Sequence, residues 1–369
     1  MTELAVAATL QPTPLAAHLI AAGKNPLLAE YRAVVSPRVL DAPEAETEAL
    51  ARNAAVHDLG WLRRVAVRGE DRSRWLSGMV TNMVRDLAPN AGAWNLVLNA
   101  QGRIQGDLTV WREGDSLELV LAADQYERLF THLDRFIIMD DVELVPLGQE
   151  PGAEETVLGL TGPRASQVLA RMGLPTLPEP MTATRVEWNG LDLRILRNYG
   201  VLGEHYEIWT PVAGLNRLWR TLRTVGAAPA GWAALESFRI AEAIPTFGID
   251  IVERDLPQET SQMRAIHFSK GCYLGQEIVE RIRSRGNVHR HLRALEIKGP
   301  VPAAGTELTQ AGKPAGHITS AAELKLPGSS RIFALAMLGS EAEVSNESLA
   351  YTAPVAAGTA GILAAPPTL

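Results

Sequence analysis

Short apolar runs alternate with polar, helix-like runs twice along the chain, first from about residue 56 and again from about residue 156. In the first stretch "RRVAVRG" and "SLELVLA" predict strands and "EDRSRWLSGMVTNMV" predicts a helix. In the second stretch the strands are "TVLGLTG" and "LDLRILRNY", with "PRASQVLARMG" as a helix. This alternation predicts an α+β protein with two mixed layers of helix and sheet.

Four segments follow from this pattern, because 369 residues are too many for one core. Residues 1–50 contain short helix-like runs divided by prolines, and we expect a helical segment that packs on the body of the protein. Residues 51–150 and 151–298 form the two mixed subdomains. Beyond Pro300 the strand-like runs are separated by Gly, Pro and Ser, so residues 299–369 are predicted to form a small C-terminal β domain.

The composition argues against several classes of partner. The formal charge of −7 disfavours a general nucleic-acid partner, which needs a basic face to neutralise phosphates. No window approaches 18 uninterrupted apolar residues, so no membrane partner is expected. The single cysteine cannot form an internal disulfide, and the start "MTELAVAATLQPTPL" lacks the features of a signal peptide, so a cytoplasmic location is expected.

The familiar motifs for nucleotides and metals are missing. There is no G-x-x-x-x-G-K-[ST], and no G-x-G-x-x-G after a strand. There is no C-x-x-C or H-E-x-x-H, and one cysteine cannot supply the thiolates that normally hold an iron-sulfur cluster. No metal site is therefore predicted.

The only cysteine, Cys272, lies in "SKGCYLGQEIVERIRSRG". A helix is predicted from about Leu274 to Arg283, and Cys272 would then lie near its positive end and close to Lys270. Both neighbours favour the thiolate, which is the reactive form. The alternative is a small buried hydrophobic residue beside the apolar stripe of the helix.

A basic run follows the cysteine, "RIRSRGNVHRHLR". Such a run is either a solvated face or a site for a polyanion. An RNA-binding or tRNA-modifying module is the corresponding functional hypothesis. The acidic chain and the lack of aromatic residues in the run argue against it.

The octet "KGCYLGQE", followed by Arg281, resembles the signature of the YgfZ-type folate-binding proteins, which are related to the aminomethyltransferase (T-protein) of the glycine cleavage system. The T-protein resemblance extends to "TPLAAHLIAAGK", "AVHDLGWLRRVAVRGEDRSRWLSGMVTNMVRDLAPNAG", "NYGVLGEHYEIW" and "FRIAEAIPTFGIDI", and so covers nearly the whole chain. It implies a T-protein-like fold, in which a central folate channel lies between two folate-binding subdomains and a β-barrel follows.

The resemblance also implies a set of residues for tetrahydrofolate. Glu204 would accept the paired N–H donors of the pterin, Arg239 would bind the anionic glutamate end, and Trp94 would stack on an aromatic ring. Each has an ordinary alternative: a solvated loop carboxylate for Glu204, a helix-surface ion pair with Glu236 or Glu242 for Arg239, and a core position for Trp94.

Asp107, in "AQGRIQGDL", matches part of the family's G-G-x-x-D-D-L motif, in which an aspartate lies near the reactive folate nitrogens. Here the acid pair has become Gly106 and Asp107, and the glycine pair Gly102 and Arg103. At about Ala122 an alanine replaces the family's asparagine. These departures argue against aminomethyl transfer but are compatible with folate binding.

The leading hypothesis is therefore a folate-binding accessory protein that supports the assembly or repair of iron-sulfur clusters in client enzymes. Cys272 would be the reactive group near the folate, Lys270 would activate it, and Asp107 would lie near the centre of the ligand. The rest of the signature would support the motif: Gly271, Tyr273, Gly275, Gln276, Glu277 and Arg281. The alternative is a folate-dependent aminomethyl or methyl transferase, with Asp107 steering proton transfer.

Overall fold

The computed structural model describes residues 10–286, 288–344 and 347–369, and of Arg285 only the backbone. The start of the predicted 1–50 segment, residues 1–9, therefore lies outside the described residues. The remainder of that segment contains two helices, as expected, and also a β-hairpin that was not predicted. Its elements are α1 (Pro14–Ala21), β1 (Leu27–Tyr31), β2 (Val34–Val39) and α2 (Pro43–Arg52).

The hairpin packs on the body through aromatic rings. Tyr31 stacks on Trp232 with ring centroids 4.8 Å apart, and meets Trp61 edge-on at 4.7 Å. The tyrosine hydroxyl donates a hydrogen bond to Glu236. This contact replaces the all-helical packing that was expected, because "LLAEY" and "VVSPRV" pair as antiparallel strands across a tight turn.

The first sheet has five antiparallel strands in the order β5-β6-β7-β4-β8. Two helices, α3 and α4, follow strands β4 and β7, as the alternation predicted. This part of the chain contains β3 (Ala55–Asp58), β4 (Leu62–Arg68), α3 (Arg72–Met79), β5 (Gly92–Leu98), β6 (Ile104–Glu113), β7 (Ser116–Ala122), α4 (Ala123–Asp134) and β8 (Glu143–Leu147).

The second sheet has six strands in the order β10-β11-β12-β9-β3-β13, and only the β3–β13 pair is parallel. Strand β3 therefore leaves the predicted first subdomain and pairs in the second. The elements that follow β8 are β9 (Glu155–Gly162), α5 (Ala165–Arg171), β10 (Thr182–Trp188), β11 (Leu191–Asn198), β12 (Glu204–Pro211), α6 (Leu215–Thr224), β13 (Ala228–Ala230), α7 (Trp232–Ala241) and α8 (Gln276–Arg285). Short 3₁₀ turns occupy Val212–Gly214, Pro257–Thr260 and Met263–Ala265.

The C-terminal strands close into a six-stranded barrel, as predicted, in the order β14-β17-β16-β15-β18-β19. The barrel begins at Arg290 and not at 299, because the first strand carries the basic run and pairs with both β17 and β19. Its elements are β14 (Arg290–Lys298), β15 (Glu307–Gln310), β16 (Lys313–Leu326), β17 (Ser329–Gly339), α9 (Ser340–Val344), β18 (Leu349–Thr352) and β19 (Ala357–Ile362). Among the described residues, every helix is too short or too polar to cross a lipid bilayer.

The two sheets pack face to face and enclose charged as well as apolar side chains. An apolar cluster lies between them, formed by Trp111, Val120, Val157, Leu196 and Trp209. Beside it, Glu118 of β7 accepts hydrogen bonds from Arg64 of its own sheet and from Arg194 of the other. The side chains of both arginines are 3% exposed. A buried carboxylate therefore bridges arginines of the two sheets.

His57, on β3, is buried beneath the backbone of Gly159, where a Cβ would lie 1.8 Å from the imidazole. Its Nε2 lies 3.0 Å from the hydroxyl of Thr161. Burial lowers the pKa of His57 to about 3, so the folded protein holds the neutral ring.

We expect His57 to make the protein less stable as the pH falls below about 6.5. In that range the imidazole is protonated in the unfolded chain but stays neutral in the folded chain. At about pH 5 the loss is about 2 kcal/mol relative to neutral pH. Urea unfolding from pH 7 to pH 5 measures it. In His57→Asn this contribution is absent, so its stability deficit against wild type should narrow as the pH falls. An unchanged deficit would contradict the assignment.

Candidate functional site

A cleft opens between the two sheets, where the predicted channel was expected. It consists of an outer cavity of about 460 Å³ and an inner cavity of about 240 Å³. Both cavities are lined by Trp94, Asp107, Thr109, Asn198 and Pro245. The outer cavity adds mainly apolar walls, including Met83, Leu87, Met181 and Ile244. A ligand with flat aromatic rings and a few polar edges matches such walls.

Asp107 lies on β6 in the wall common to both cavities. Its Oδ2 accepts a hydrogen bond from Nε1 of Trp94, and its Oδ1 accepts one from Nε2 of Gln125, each at 2.9 Å. The amide of Gln125 also accepts from the main-chain N–H of Asp107 at 3.0 Å. The carboxylate is thus fixed in one orientation, and each oxygen retains a free lone pair for a ligand. Asp107 was predicted to lie near the centre of a bound folate; it lines both cavities, and its contact with a folate stays a prediction.

Gln125, on α4, was not identified from the sequence. Gln125 occupies space that is free because residue 106 is a glycine. A Cβ at Gly106 would lie 2.7 Å from Oε1 of Gln125 and 2.9 Å from the methyl groups of Leu129. Any side chain at 106 would displace the glutamine that holds Asp107. The glycine in the "GD" pair is therefore a packing requirement, and the missing second acid does not leave Asp107 unsupported.

Glu207, and not Glu204, is the glutamate that faces the cleft. Glu207 lines the inner cavity together with Asp107 and is 8% exposed. It accepts hydrogen bonds from Asn198 at 2.6 Å and from the indole of Trp209 at 3.0 Å. Burial raises the pKa of Glu207, which these two donors oppose.

The prediction for Glu204 needs correction. Its carboxylate accepts from the N–H of Ser166, at the start of α5, and lies 3.5 Å from Arg197. It is absent from the lining of both cavities. Glu204 and Glu207 stand three residues apart on β12, so their side chains point to opposite faces of the sheet. Glu204 supports a helix, and Glu207 is the available carboxylate.

Arg239 also has a role other than the predicted one. Its guanidinium pairs with Glu236 and with Asp250, each at 2.7 Å, and donates to the carbonyl of Ile244. Burial opposes the charge, but the two carboxylates keep the pKa of Arg239 above its ordinary value. The ion pair with Glu236 was the alternative interpretation, although it is buried and not on the surface. Through Ile244 this arginine supports a wall of the outer cavity.

Trp94 lies in the wall of both cavities, and its stacking on a ligand ring stays a prediction. One face of its indole is 4.8 Å from the guanidinium of Arg264, which also lies 3.8 Å from the ring centroid of Tyr199. Burial lowers the pKa of Arg264 to about 10, and Tyr199, Glu242 and Asp107 oppose this shift. Tyr199 lies in the segment "NYGVLGEHYEIW" but was not identified as a site residue, and Arg264 lies outside the quoted motifs.

The octet "KGCYLGQE" fastens α8 to the first sheet. The ammonium of Lys270, 6% exposed as a residue, donates to the main-chain carbonyls of Ser77, Val80 and Asn82 at 2.6–2.8 Å. A Cβ at Gly275 would lie 2.6 Å from the carbonyl of Asn99. Lys270 was predicted to activate the thiol, but its donors are directed at these carbonyls. It is a structural residue that joins distant parts of the chain.

Tyr273 and Gln276 complete this attachment. Tyr273 is buried, and its N–H lies 3.3 Å from Oε1 of Gln276, the first residue of α8. The helix begins slightly later than predicted, after Gly275 in the left-handed conformation with a φ of 83°. Three of the predicted supporting residues, Tyr273, Gly275 and Gln276, thus contribute to the packing of α8.

Cys272 is exposed, as a reactive thiol requires, but it is not part of the lining of the cleft. It lies between two buried anchors, Lys270 and Tyr273. Gly271, Glu277 and Arg281 are exposed as well. The sequence therefore predicted its accessibility, while its expected place next to the folate needs correction.

Three arginines of the basic run after Cys272 are paired with carboxylates. Arg283 pairs with Glu280 at 2.8 Å, Arg290 with Asp255 and Glu259 at 2.9 Å, and Arg293 with Glu343 at 2.8 Å. These pairs reduce the positive charge that a polyanion could use. In the part of the chain that the structure describes, no His, Cys, Asp and Glu side chains converge in a group that could hold a metal ion.

Comparisons with known proteins agree on one relationship. Residues 16–270, well over half of the chain, match the family model described as the GCVT N-terminal domain. An aminomethyltransferase from Rubrobacter xylanophilus is 28% identical over 358 residues, which cover 95% of this chain and 92% of that protein. An aminomethyltransferase from Geobacillus kaustophilus is 26% identical over 321 residues, covering 84% and 86%.

Among solved structures, the glycine cleavage system aminomethyltransferase T from Bartonella henselae superposes with a TM-score of 0.85. The match covers 97% of this chain and 98% of that one at 20% sequence identity. The predicted T-protein-like fold is thereby confirmed.

We expect Gly106→Ala to destabilise the protein by about 1–3 kcal/mol, because the new methyl group overlaps Gln125 and Leu129. In a Gln125→Ala background the same substitution should lower the free energy of unfolding by less, because the amide no longer occupies that space. A double-mutant cycle in urea unfolding measures the coupling. Equal costs in both backgrounds would show that Gly106 and Gln125 do not depend on each other.

Proposed function

Because the chain belongs to the GCVT N-terminal domain family, we propose that it binds a reduced folate in the cleft and transfers a one-carbon unit, as a folate-dependent transferase of the aminomethyltransferase type. Relatives that cover most of the chain bear that name. The proposal replaces an iron-sulfur accessory role as the leading hypothesis, since the matched relatives are named for transfer.

Asp107 carries the proposal. It is a carboxylate in the wall of both cavities, and Trp94 and Gln125 hold its two oxygens. A positioned carboxylate of this kind can take a proton from a ligand nitrogen and return it to a leaving amine. The bound folate would supply the nitrogens that carry the one-carbon unit.

Glu207 supplies the second requirement, a set of acceptors for a pteridine. A reduced pterin presents neighbouring N–H donors on one edge, and a carboxylate accepts such a pair with its two oxygens. Glu207 is held by Asn198 and Trp209 and opens on the inner cavity. With Asp107 in the same cavity, the pterin edge would lie inside and the remainder of the ligand along the apolar outer walls.

The exposure of Cys272 favours a second candidate, the YgfZ-type role in assembly or repair of iron-sulfur clusters. The buried anchors on both sides, Lys270 and Tyr273, would present the thiol to a client or assembly protein at the surface. In this role the folate would again occupy the cleft. The two candidates differ in the residue on which the activity depends.

We expect Glu207→Gln to weaken the binding of 5-formyltetrahydrofolate by about ten- to a hundredfold, because one charged acceptor of the pterin N–H groups is lost. Glu204→Gln is the matched control, with the same chemical change on the opposite face of β12, and should bind within about twofold of wild type. Titration calorimetry measures both. Loss of affinity in the control alone would restore Glu204 as the pterin ligand.

We expect Asp107→Asn to lower the amine-dependent formation of methylenetetrahydrofolate by about a hundredfold or more, with folate affinity nearly unchanged, because the amide cannot take up the proton. Cys272→Ser should keep normal turnover. Turnover is followed with an aminomethyl donor and tetrahydrofolate. If wild type shows none, and cells that carry only Cys272→Ser lose iron-sulfur enzyme activity, the second candidate is the correct one.

A further inference from the structure

Arg264 is placed at the edge of the outer cavity by main-chain contacts. Its carbonyl accepts a hydrogen bond from Nδ2 of Asn82 at 2.8 Å, and the same amide group donates to the carbonyl of Trp94 at 2.9 Å. The next carbonyl, of Ala265, accepts from the hydroxyl of Thr81 at 2.6 Å. The 3₁₀ turn Met263–Ala265 is therefore fixed against β5.

The guanidinium of Arg264 is set against two rings and pairs with no carboxylate in the described parts of the chain. The centroid of Tyr199 lies 3.8 Å away and that of Trp94 4.8 Å away. Its Nε and Nη1 are buried without a hydrogen-bond partner. Arg64 and Arg239 are similarly enclosed, but each has a carboxylate within 2.8 Å.

Buried donors of a charged group are costly to leave unpaired, so an anion that enters the cavity gains more here than at the surface. The two rings contact the guanidinium, and Arg264 lines the outer cavity, so a ligand there meets the remaining edge of the group, which includes Nη2. A planar fork of this kind matches a carboxylate with two parallel hydrogen bonds.

We propose that Arg264 is the anion-binding end of the cleft and pairs with a carboxylate of the ligand that occupies the outer cavity. This inference rests on the proposed function for the identity of the ligand. Trp94 sets the spacing, because its face contacts Arg264 and its Nε1 contacts Asp107. The ligand then extends from a proton-transfer end at Asp107 to an anionic end at Arg264.

A carboxylate at this place can come from the glutamyl part of the folate or from an amino-acid substrate. Both present the same chemistry to Arg264. The outer cavity, about 460 Å³, has room for a benzoyl ring beside Met83, Leu87 and Ile244, which favours the glutamyl carboxylate. The experiment distinguishes the two sources.

The test compares wild type with Arg264→Gln, Arg264→Lys and the control Arg68→Gln. Arg68 is exposed at the end of β4, so the control removes the same charge away from the cleft. Titration calorimetry is performed with 5-formyltetrahydrofolate, with 5-formyltetrahydropteroate, which lacks the glutamyl group, and with 4-aminobenzoylglutamate. Thermal unfolding verifies that each variant is folded.

We expect Arg264→Gln to lower the affinity for 5-formyltetrahydrofolate and for 4-aminobenzoylglutamate by about ten- to a hundredfold. Its affinity for 5-formyltetrahydropteroate should stay within about twofold of the wild-type value. The affinity of Arg264→Lys for the first two ligands should lie between those of wild type and Arg264→Gln, because lysine keeps the charge but lacks the planar guanidinium. If folate affinities are unchanged but the KM of a carboxylate-bearing amine rises and that of a carboxylate-free amine does not, the anion belongs to the substrate.

Other outcomes separate this inference from the proposed function. If wild type binds 5-formyltetrahydrofolate and Arg264→Gln binds every carboxylate ligand equally well, the anion site is refuted and folate binding stands. If wild type binds 4-aminobenzoylglutamate through Arg264 but no pteridine, the anion site stands and the folate proposal fails. If wild type binds none of the three ligands, both are overturned.

Discussion

Glu118 connects the two sheets, and the cleft depends on that connection. Its carboxylate forms ion pairs with Arg64 of its own sheet and with Arg194 of the facing sheet, and both arginines are almost fully buried. Arg64 also pairs with Glu155 and Arg194 also pairs with Glu113, so the charges between the sheets are balanced within one network. Because the sheets are held in one register at this point, Asp107 on one sheet and Glu207 on the other face the same inner cavity.

A second connection is made by Lys270, which is nearly two hundred residues away in sequence from the three carbonyls that it contacts, at the end of α3 and just beyond it. The last of these belongs to Asn82, whose side chain in turn holds the main chains of Trp94 and Arg264. The most distinctive motif of the chain is thus a support for the wall of the cleft, and the thiol that it contains is exposed on the outside.

Periodicity, which is a local signal, predicted the two mixed layers of helix and sheet, and the family resemblance predicted the C-terminal barrel. The sequence was insufficient where the answer depended on the face of a strand or on a distant partner. Glu204 and Glu207 are both glutamates of β12. Because they are three residues apart, their side chains lie on opposite faces of the sheet. Gln125 and Arg264 lie in no motif, and what defines them is contact with Asp107, Trp94 and Tyr199 in the folded protein.

The close fit of Gly106 against Gln125 and Leu129 limits how this protein can evolve. An aspartate at 106 would recreate the paired acids of the transferase motif, yet that single change would first push the amide of Gln125 away from Asp107. A lineage that acquires the pair must therefore also move or replace the side chains of Gln125 and Leu129. The second acid is thus coupled to substitutions on the facing helix.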